Sequence, residues 1–353
     1  MLFKKLKINK VELKNRIVVS PMCQYSAVNG CPTEWHYDHL SKLANSGAGM
    51  LMIESTAVNK SGKITHSDLC LNNNLQEKKF KQLKKYINKK SKIPIGIQIS
   101  HSGRKGSAHV PWIKSNTALN KKNKSWQTFA PSAIKRDKKW PVPKSLTKNQ
   151  ILGLIKDFRN TAIRAKKIDF ECLEIHMAHG YLLHQFLSPI SNLRKDEFGK
   201  DFFSRMYVPL KIAKEIRKIW PKDKILGARI TGTDHLQDGI NLKESIALTK
   251  QLEKIGFDYV CVSSGGILPI TKMKFKKAFR EKLSKKIKNS TSILIRTSGQ
   301  IDDTNIANKI LTTKSADLVG IARKFIKDPM WIIKEAKIKN IKGYTPNPYL
   351  KCL

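Results

Sequence analysis

Short apolar runs, dense in Val, Ile and Leu, alternate along the chain with longer stretches whose apolar positions recur every three to four residues. The first pattern suits a strand buried on both faces and the second an amphipathic helix. Their alternation is the rhythm of βαβ units around a parallel sheet. Strands are predicted over residues 16–20, 49–53, 94–99, 172–175, 225–230, 258–263, 292–296 and 316–322. The helices that follow them fall at 33–46, 75–88, 147–167, 205–220, 242–255, 275–287, 303–311 and 328–338. Eight units without a linker point to a closed (β/α)8 TIM barrel rather than an open doubly wound sheet.

Two features decorate that plan. Residues 6–8 and 11–13 flank Asn9-Lys10, an N-terminal hairpin signal well placed to plug the barrel floor. Residues 100–145 carry Trp112, Trp126, Trp140 and several prolines without a clear period, giving a long loop after strand three. Long loops inside compact domains usually serve function, so this one is expected to cover an active site. One domain over residues 1–353 is expected, with a C-terminal tail from about 339.

Composition adds limits more than chemistry. Hydrophobic residues make up 40% of the 353, enough for a substantial core. No run reaches the roughly 18 apolar residues of a membrane helix. Residues 1–16 lack the continuous apolar stretch of a secretory signal, so a cytoplasmic location without membrane partners is expected. The net charge of +41 could serve a polyanion, since clustered Lys and Arg neutralise phosphates. The lysines, however, recur along helix faces (Lys78, Lys79, Lys81, Lys84, Lys85, Lys89 and Lys90; Lys282, Lys285, Lys286 and Lys288) and not in one aromatic-interleaved patch. Lys, Asn and Ile are all heavily used, so compositional drift is the stronger reading and no specific nucleic-acid partner is expected. Cys23, Cys31, Cys70, Cys172, Cys261 and Cys352 are scattered with no CxxC pair, which offers no metal framework and fits reduced thiols.

Barrel enzymes gather their chemistry at the C-terminal ends of the strands, and polar residues recur there in this chain. Ser20 and Cys23 follow strand one, and residues 54–57, ending at Ala57, follow strand two. Gln98 and His101 end strand three, His176 and His179 strand four, and Arg229 strand five. Residues 263–266 end strand six, Ser298-Gly299 follow strand seven, and Ala322-Arg323 strand eight. The last two units of such barrels commonly cradle phosphate, because glycine lets backbone amides approach an anion. Arg229 reads as a surface ion-pair partner or, better, as a cation facing an anionic ring system. His176 and His179, three apart beyond a buried strand, can aim two N–H donors at one oxygen, and Tyr181 adds a phenol able to deliver a proton. A satisfied pair of core histidines is the plain alternative. Neither HExxH nor HxxEH is present, so a metal ranks below carbonyl binding. A free cysteine such as Cys23 most often acts as a small hydrophobe.

The segments 13–17, 20–26 (Ser-Pro-Met-Cys-Gln-Tyr-Ser), 54–59, 98–105, 130–134 and 174–192 (Glu-Ile-His-Met-Ala-His-Gly-Tyr and onward) resemble the old yellow enzyme family. The likeness is nearest to its bacterial, cysteine-bearing subgroup of NADPH dehydrogenases and ene-reductases. It implies FMN as cofactor and NADPH or NADH as hydride donor. It also implies that hydride passes by way of flavin N5 to the β-carbon of an α,β-unsaturated carbonyl or nitro compound, a small electron-poor alkene. Ser20, Pro21, Met22, Cys23, Ala57, Gln98 and Arg229 would then contact the flavin and its ribityl chain, with Ser298, Gly299, Ala322 and Arg323 at its phosphate. His176 and His179 would bind the substrate's activating group, Tyr25 and Tyr181 would flank it, and Tyr181 would be the proton donor. Cys23 would tune the flavin, and Lys105 would line the entrance. A homodimer or homotetramer is expected from the same resemblance.

Two positions depart from the family pattern. Ala322 stands where the family commonly has Gly, and Lys351 where the subgroup has an arginine that reaches a neighbour's site; Lys keeps the charge without the planar fork. Two other functions are alternatives: a flavin-dependent tRNA dihydrouridine synthase and a non-catalytic nucleic-acid-binding barrel. The first draws on Asn29-Gly30-Cys31-Pro32, which lies after strand one instead of strand four. The second is opposed by the intact His176, His179, Tyr181 and Cys23.

Overall fold

Eight parallel strands close on themselves, and their order around the ring follows the chain. The computed structural model describes residues 1–269 and 275–351, so Cys352 lies outside the described residues. The hairpin is β1 (Leu6–Ile8) and β2 (Val11–Leu13), and the barrel begins with β3 (Ile17–Val19), β4 (Met50–Ala57) and β5 (Ile95–Ser100). Two short strands in the long loop, β6 (Phe129–Ala130) and β7 (Lys144–Ser145), pair with each other outside the barrel. The ring is completed by β8 (Cys172–Met177), β9 (Ile225–Thr231), β10 (Tyr259–Ser263), β11 (Leu294–Ser298) and β12 (Leu318–Ile321), and β12 pairs back onto β3.

The helices are α1 (Glu34–Ala44), α2 (Asn74–Lys90), α3 (Pro111–Lys114), α4 (Lys148–Ile168), α5 (Leu182–Leu187) and α6 (Phe202–Ile219). They continue with α7 (Leu242–Ile255), α8 (Glu281–Lys288), α9 (Thr304–Thr312), α10 (Arg323–Lys327) and α11 (Trp331–Ile338). Their starts are chemically marked. Thr147 with Gln150 and Asn241 with Glu244 form capping boxes before α4 and α7, each satisfying amides that the first turn leaves open. α4 lays Ile151, Leu154, Ile155, Phe158 and Ala162 against the sheet. Burial of each large side chain there stabilises by about 1.5–3 kcal/mol. None of the described helices is long and apolar enough to cross a membrane.

Period-two alternation sorts the strand residues into layers. On β8, Leu173, Ile175 and Met177 face the helices, while Cys172, Glu174 and His176 face the barrel axis from floor to mouth. The floor is apolar: Val18, Met50, Met52, Ile225 and Leu318 pack with Ile8 and Leu13 of the hairpin, which plugs it as expected. The Asn9 amide fastens the hairpin tip to Lys224 O and Asp258 Oδ1 at 3.0 and 2.9 Å. Tyr259 lies across the interior because Gly227 leaves it room; a Cβ there would stand 2.2 Å from the ring.

Several boundaries differ from the sequence expectation. β4 runs on to Ala57 through an irregularity between Ile53 and Ser55, so residues 54–57 end the strand and do not follow it. His176 likewise lies inside β8. The predicted helix at 275–287 begins only at Glu281. Ala278 adopts φ 53, which an L residue in a helix cannot hold, and the helix starts only beyond it. Lys84, read as one of the lysines on a helix face, is 4% exposed and pairs with Glu171 at 2.7 Å. Asn29-Gly30 have φ 52 and 78 beneath a Val28–Cys31 bridge, so this segment is a tight two-residue turn.

Candidate active site

The mouth has two sides. On one, the ends of β3, β11 and β12 border a cavity of about 600 Å³, lined by Ser20, Pro21, Arg229, Ser298, Gly299, Ala322 and Arg323 from among the expected residues. Sequence reasoning missed Lys277, Arg280, Lys324 and Lys327, which bring further positive charge to the same cavity. The signal for Arg280 was its place in a basic stretch, which the helical reading assigned to the surface. In the structure its Nε donates to Ser264 Oγ at 2.9 Å, its guanidinium stacks on Phe279 at 4.3 Å, and burial lowers its pKa to about 9.

This cavity fits the phosphate and polar edge of FMN. Ser20 Oγ and Arg229 Nε are buried polar atoms with no hydrogen-bond partner, an arrangement that costs free energy unless a ligand completes it. Gly299 has φ 127, and a Cβ on it would press to 2.8 Å from Phe279, so the wall here is backbone. Asp302 is the one acid lining the cavity; it lies 3.8 Å from Lys277 and leaves most of the positive charge unopposed.

Four other residues expected at the cofactor do not line this cavity. Gln98 donates through Nε2 to Glu174 Oε1 at 2.7 Å, deep in the barrel. Glu174 also accepts from Tyr259 at 2.7 Å and pairs with Arg296, both partners fully buried. The Ala57 amide is committed to Leu69 O at 2.8 Å and its carbonyl accepts the Leu71 amide at 3.0 Å, so its backbone is held within the fold. Met22 packs against the core, and Cys23 sits on the turn after β3, which is anchored where the Gln24 amide and His36 both bond Glu54. Burial, with Glu54 and Asp68 nearby, pushes the Cys23 thiol well above its usual range, so it is held as the neutral thiol beside the Tyr25 hydroxyl.

On the other side stand His176, His179 and Tyr181. The His176 ring lies 5.0 Å from His179 and 4.9 Å from Tyr181. Burial, then Arg229, depresses both imidazoles well below the ordinary histidine range, so both are neutral. His176 Nδ1 accepts the Ala178 amide at 3.1 Å, which puts its proton on Nε2. That Nε2 faces His179 Nδ1 at 3.2 Å, and His179 Nε2 meets Ser263 Oγ at 2.5 Å. The pair thus forms a relay of donors ending on Ser263, and not the two converging N–H groups expected from spacing. Tyr181 is kept protonated by burial, reinforced by Cys23, Tyr25 and Asp68. Tyr25 holds φ 50 and meets Trp112 of the long loop edge-on at 6.0 Å, so that loop does reach over this face.

The turn carrying these groups is clamped by side chains. Lys105 Nζ bonds His179 O at 2.7 Å, His184 Nδ1 accepts from Gly180 N at 2.7 Å, and Gln185 Nε2 bonds Gly180 O at 2.7 Å. Gly180 has φ 72 and abuts Gly266, leaving no room for a Cβ. Lys105 is therefore part of the wall, with its amine 4.9 Å above the Tyr181 ring, and not only a residue of the entrance. Among the described residues no cluster of His, Cys, Asp or Glu could hold a metal ion.

The chain is similar to known proteins along most of its length. Residues 1–341 match the NADH:flavin oxidoreductase / NADH oxidase family. An NADPH dehydrogenase of Clostridium acetobutylicum is 34% identical over 354 residues, covering 99% of this chain and 98% of that protein. An NADH:flavin oxidoreductase of Gibberella zeae is 37% identical, covering 93% of this chain and 83% of that protein. In fold, the chain is similar to morphinone reductase, with a TM-score of 0.77 at 21% identity over 98% of this chain and 91% of that one. It is also similar to a 2-naphthoyl-CoA reductase, with a TM-score of 0.85 at 22% identity; it covers 95% of itself but only 52% of that longer chain.

Proposed function

This chain belongs to the NADH:flavin oxidoreductase / NADH oxidase family and is an FMN-dependent oxidoreductase using a nicotinamide donor, and we propose that it reduces the activated double bond of α,β-unsaturated carbonyl or nitro compounds. The observation that carries this reading is the neutral donor relay of His176, His179 and Ser263 beside a protonated Tyr181, all next to the cationic cavity. Ser20, Arg229, Ser298, Gly299 and Arg323 would hold the flavin, with Gln98 and Ala57 at its ring. Bound FMN supplies the redox chemistry, accepting hydride from the nicotinamide and returning it to the alkene.

The chain's own groups do the rest. An incoming carbonyl or nitro oxygen competes for the protons of His176 Nε2 and His179 Nε2, which are already oriented by Ala178 and Ser263. Negative charge grows on that oxygen as the bond is reduced, and once the relay has turned its protons to it these neutral donors stabilise that charge. Tyr181, with its phenol protonated, is suited to deliver the one proton the reduction needs to the α-carbon, and Tyr25 closes the opposite side. The neutral Cys23 thiol, placed on the turn between Ser20 and Tyr25, would tune the flavin. Lys351 and its neighbours Tyr349 and Leu350 are exposed, which suits a tail used between subunits of a homodimer or homotetramer.

The test is anaerobic. Purified protein should be yellow, bleach with NADPH or NADH, and regain colour on mixing with 2-cyclohexenone much faster than with buffer. Reduced protein indifferent to enones and nitroalkenes would remove the proposed substrate class while leaving the flavoprotein assignment untouched.

A further inference from the structure

The cations at the mouth fall into two groups, and only one is explained by FMN. Arg229, Arg280 and Arg323 line the cofactor cavity. Arg104, Lys105 and Arg136 lie on the opposite side, around Tyr181 and under the long loop. Among the described residues none of these three joins an ion pair.

Two of the three are tied to the fold mainly by backbone carbonyls. Arg104 bonds Ile134 O, Lys135 O and Ile267 O at 3.3, 3.2 and 2.9 Å, although its buried Nε has no partner, and Lys105 bonds His179 O. Arg136 differs. It is 7% exposed, stacks on Trp140 at 4.7 Å and gives one contact, to Asn116 Oδ1 at 3.2 Å, while its buried Nε has no partner. Its neighbour Asp137 is the nearest acid and makes no ion pair with it, its Oδ1 instead accepting the Lys139 amide. The other acids near this face are engaged elsewhere: Glu54 with His36 and Gln24, Asp68 with Ile64 and Thr65. Burying three mutually repelling cations is costly, and an apolar side chain over Trp140 would cost less. The mutual repulsion is visible in the depressed pKa values of Arg104 and Lys105, about 10 and about 7, each lowered by burial and then by Arg136.

We propose that Arg136, backed by Arg104 and Lys105, is a subsite for an anionic oxygen group, a carboxylate or phosphate, on the molecule that stacks beside Tyr181. The inference rests on the reading of the His176–Tyr181 face as the place where that molecule sits. It narrows the substrate class from any electron-poor alkene to one bearing a negative charge, unless the charge belongs to the hydride donor.

Benzoate and benzamide, alike in shape and unlike in charge, separate the ideas in a visible titration of the FMN-loaded protein. Benzoate should bind at least about tenfold more tightly than benzamide, the worth of one charge-assisted hydrogen bond. Arg136→Gln should erase that preference, and Arg136→Lys should keep a good part of it; retained FMN shows that both variants are folded. Stopped-flow then identifies the source. A weaker Kd in Arg136→Gln for a carboxylate-bearing enone assigns the anion to the substrate, and a weaker Kd for NADPH during flavin reduction assigns it to the donor's phosphates. The proposal is overturned if benzoate binds no better than benzamide, or if Arg136→Gln weakens both equally. Because the titration needs no turnover, a protein that reduces no enone would count against the proposed activity and not against this subsite.

Discussion

The lower and upper halves of the barrel interior are built from the same eight strands by the same alternation, yet they behave as opposites. Below, Ile8, Leu13, Val18, Met50 and Leu318 close on one another, and the charge above them is answered from within. Glu174 has both oxygens taken, by Gln98 on one side and by Tyr259 and Arg296 on the other. At the mouth, Ser20 Oγ and Arg229 Nε are buried without partners, and among the described residues six cations line the cofactor cavity with one acid, Asp302, beside them. The lower half pairs its charges with one another, although Arg296 Nε is left without a partner, and carries stability; the upper half leaves its cations for ligands to complete. A polar group that a fold leaves unsatisfied marks where function resides, because its cost must be offset by something that binds.

That contrast can be broken from either end. The largest effect belongs to the middle layer: Arg296→Ala strands Glu174, fully buried, without its cation and should cost about 3–5 kcal/mol in urea unfolding. Next, changing His176 and His179 together to Ala should do the reverse. The folding midpoint and reduction by NADPH should hardly move, while reoxidation by 2-cyclohexenone slows on the order of a hundredfold, about 2.7 kcal/mol of barrier. Reoxidation at the parent rate would make the pair structural. Third, Arg323→Ala should weaken FMN by about tenfold and riboflavin much less, since only FMN carries the phosphate; equal losses would place the phosphate elsewhere. The smallest effect is a slope. Burial lowers Lys105 to about 7 in the folded state from 10.5. Between those values the unfolded chain holds the extra proton, so stability should rise with pH through that window and stay flat below it. Lys105→Met should flatten the slope, and an unchanged slope would show that another group sets it.

The chain's own pattern settled a good deal. Eight alternating strand and helix patterns implied a barrel, and the polar residues at its strand ends named Ser20, Arg229, His176, His179, Ser298 and Arg323, which the structure brings to one mouth. The hairpin was legible because its two apolar triplets and Asn9-Lys10 are a purely local signal. What sequence could not supply was the partner of each group. Arg280 lay inside the helix predicted over 275–287, which begins only after Ala278, and it lines the cavity instead. Lys84 carried the same label as its exposed neighbours and found Glu171 across the sheet. The histidines were predicted as two free donors, but folding closed them into a relay through Ser263, a residue more than eighty positions away. Backbone pattern is written in neighbours along the chain, whereas charge state and proton direction depend on burial and on groups that only the closed barrel brings together.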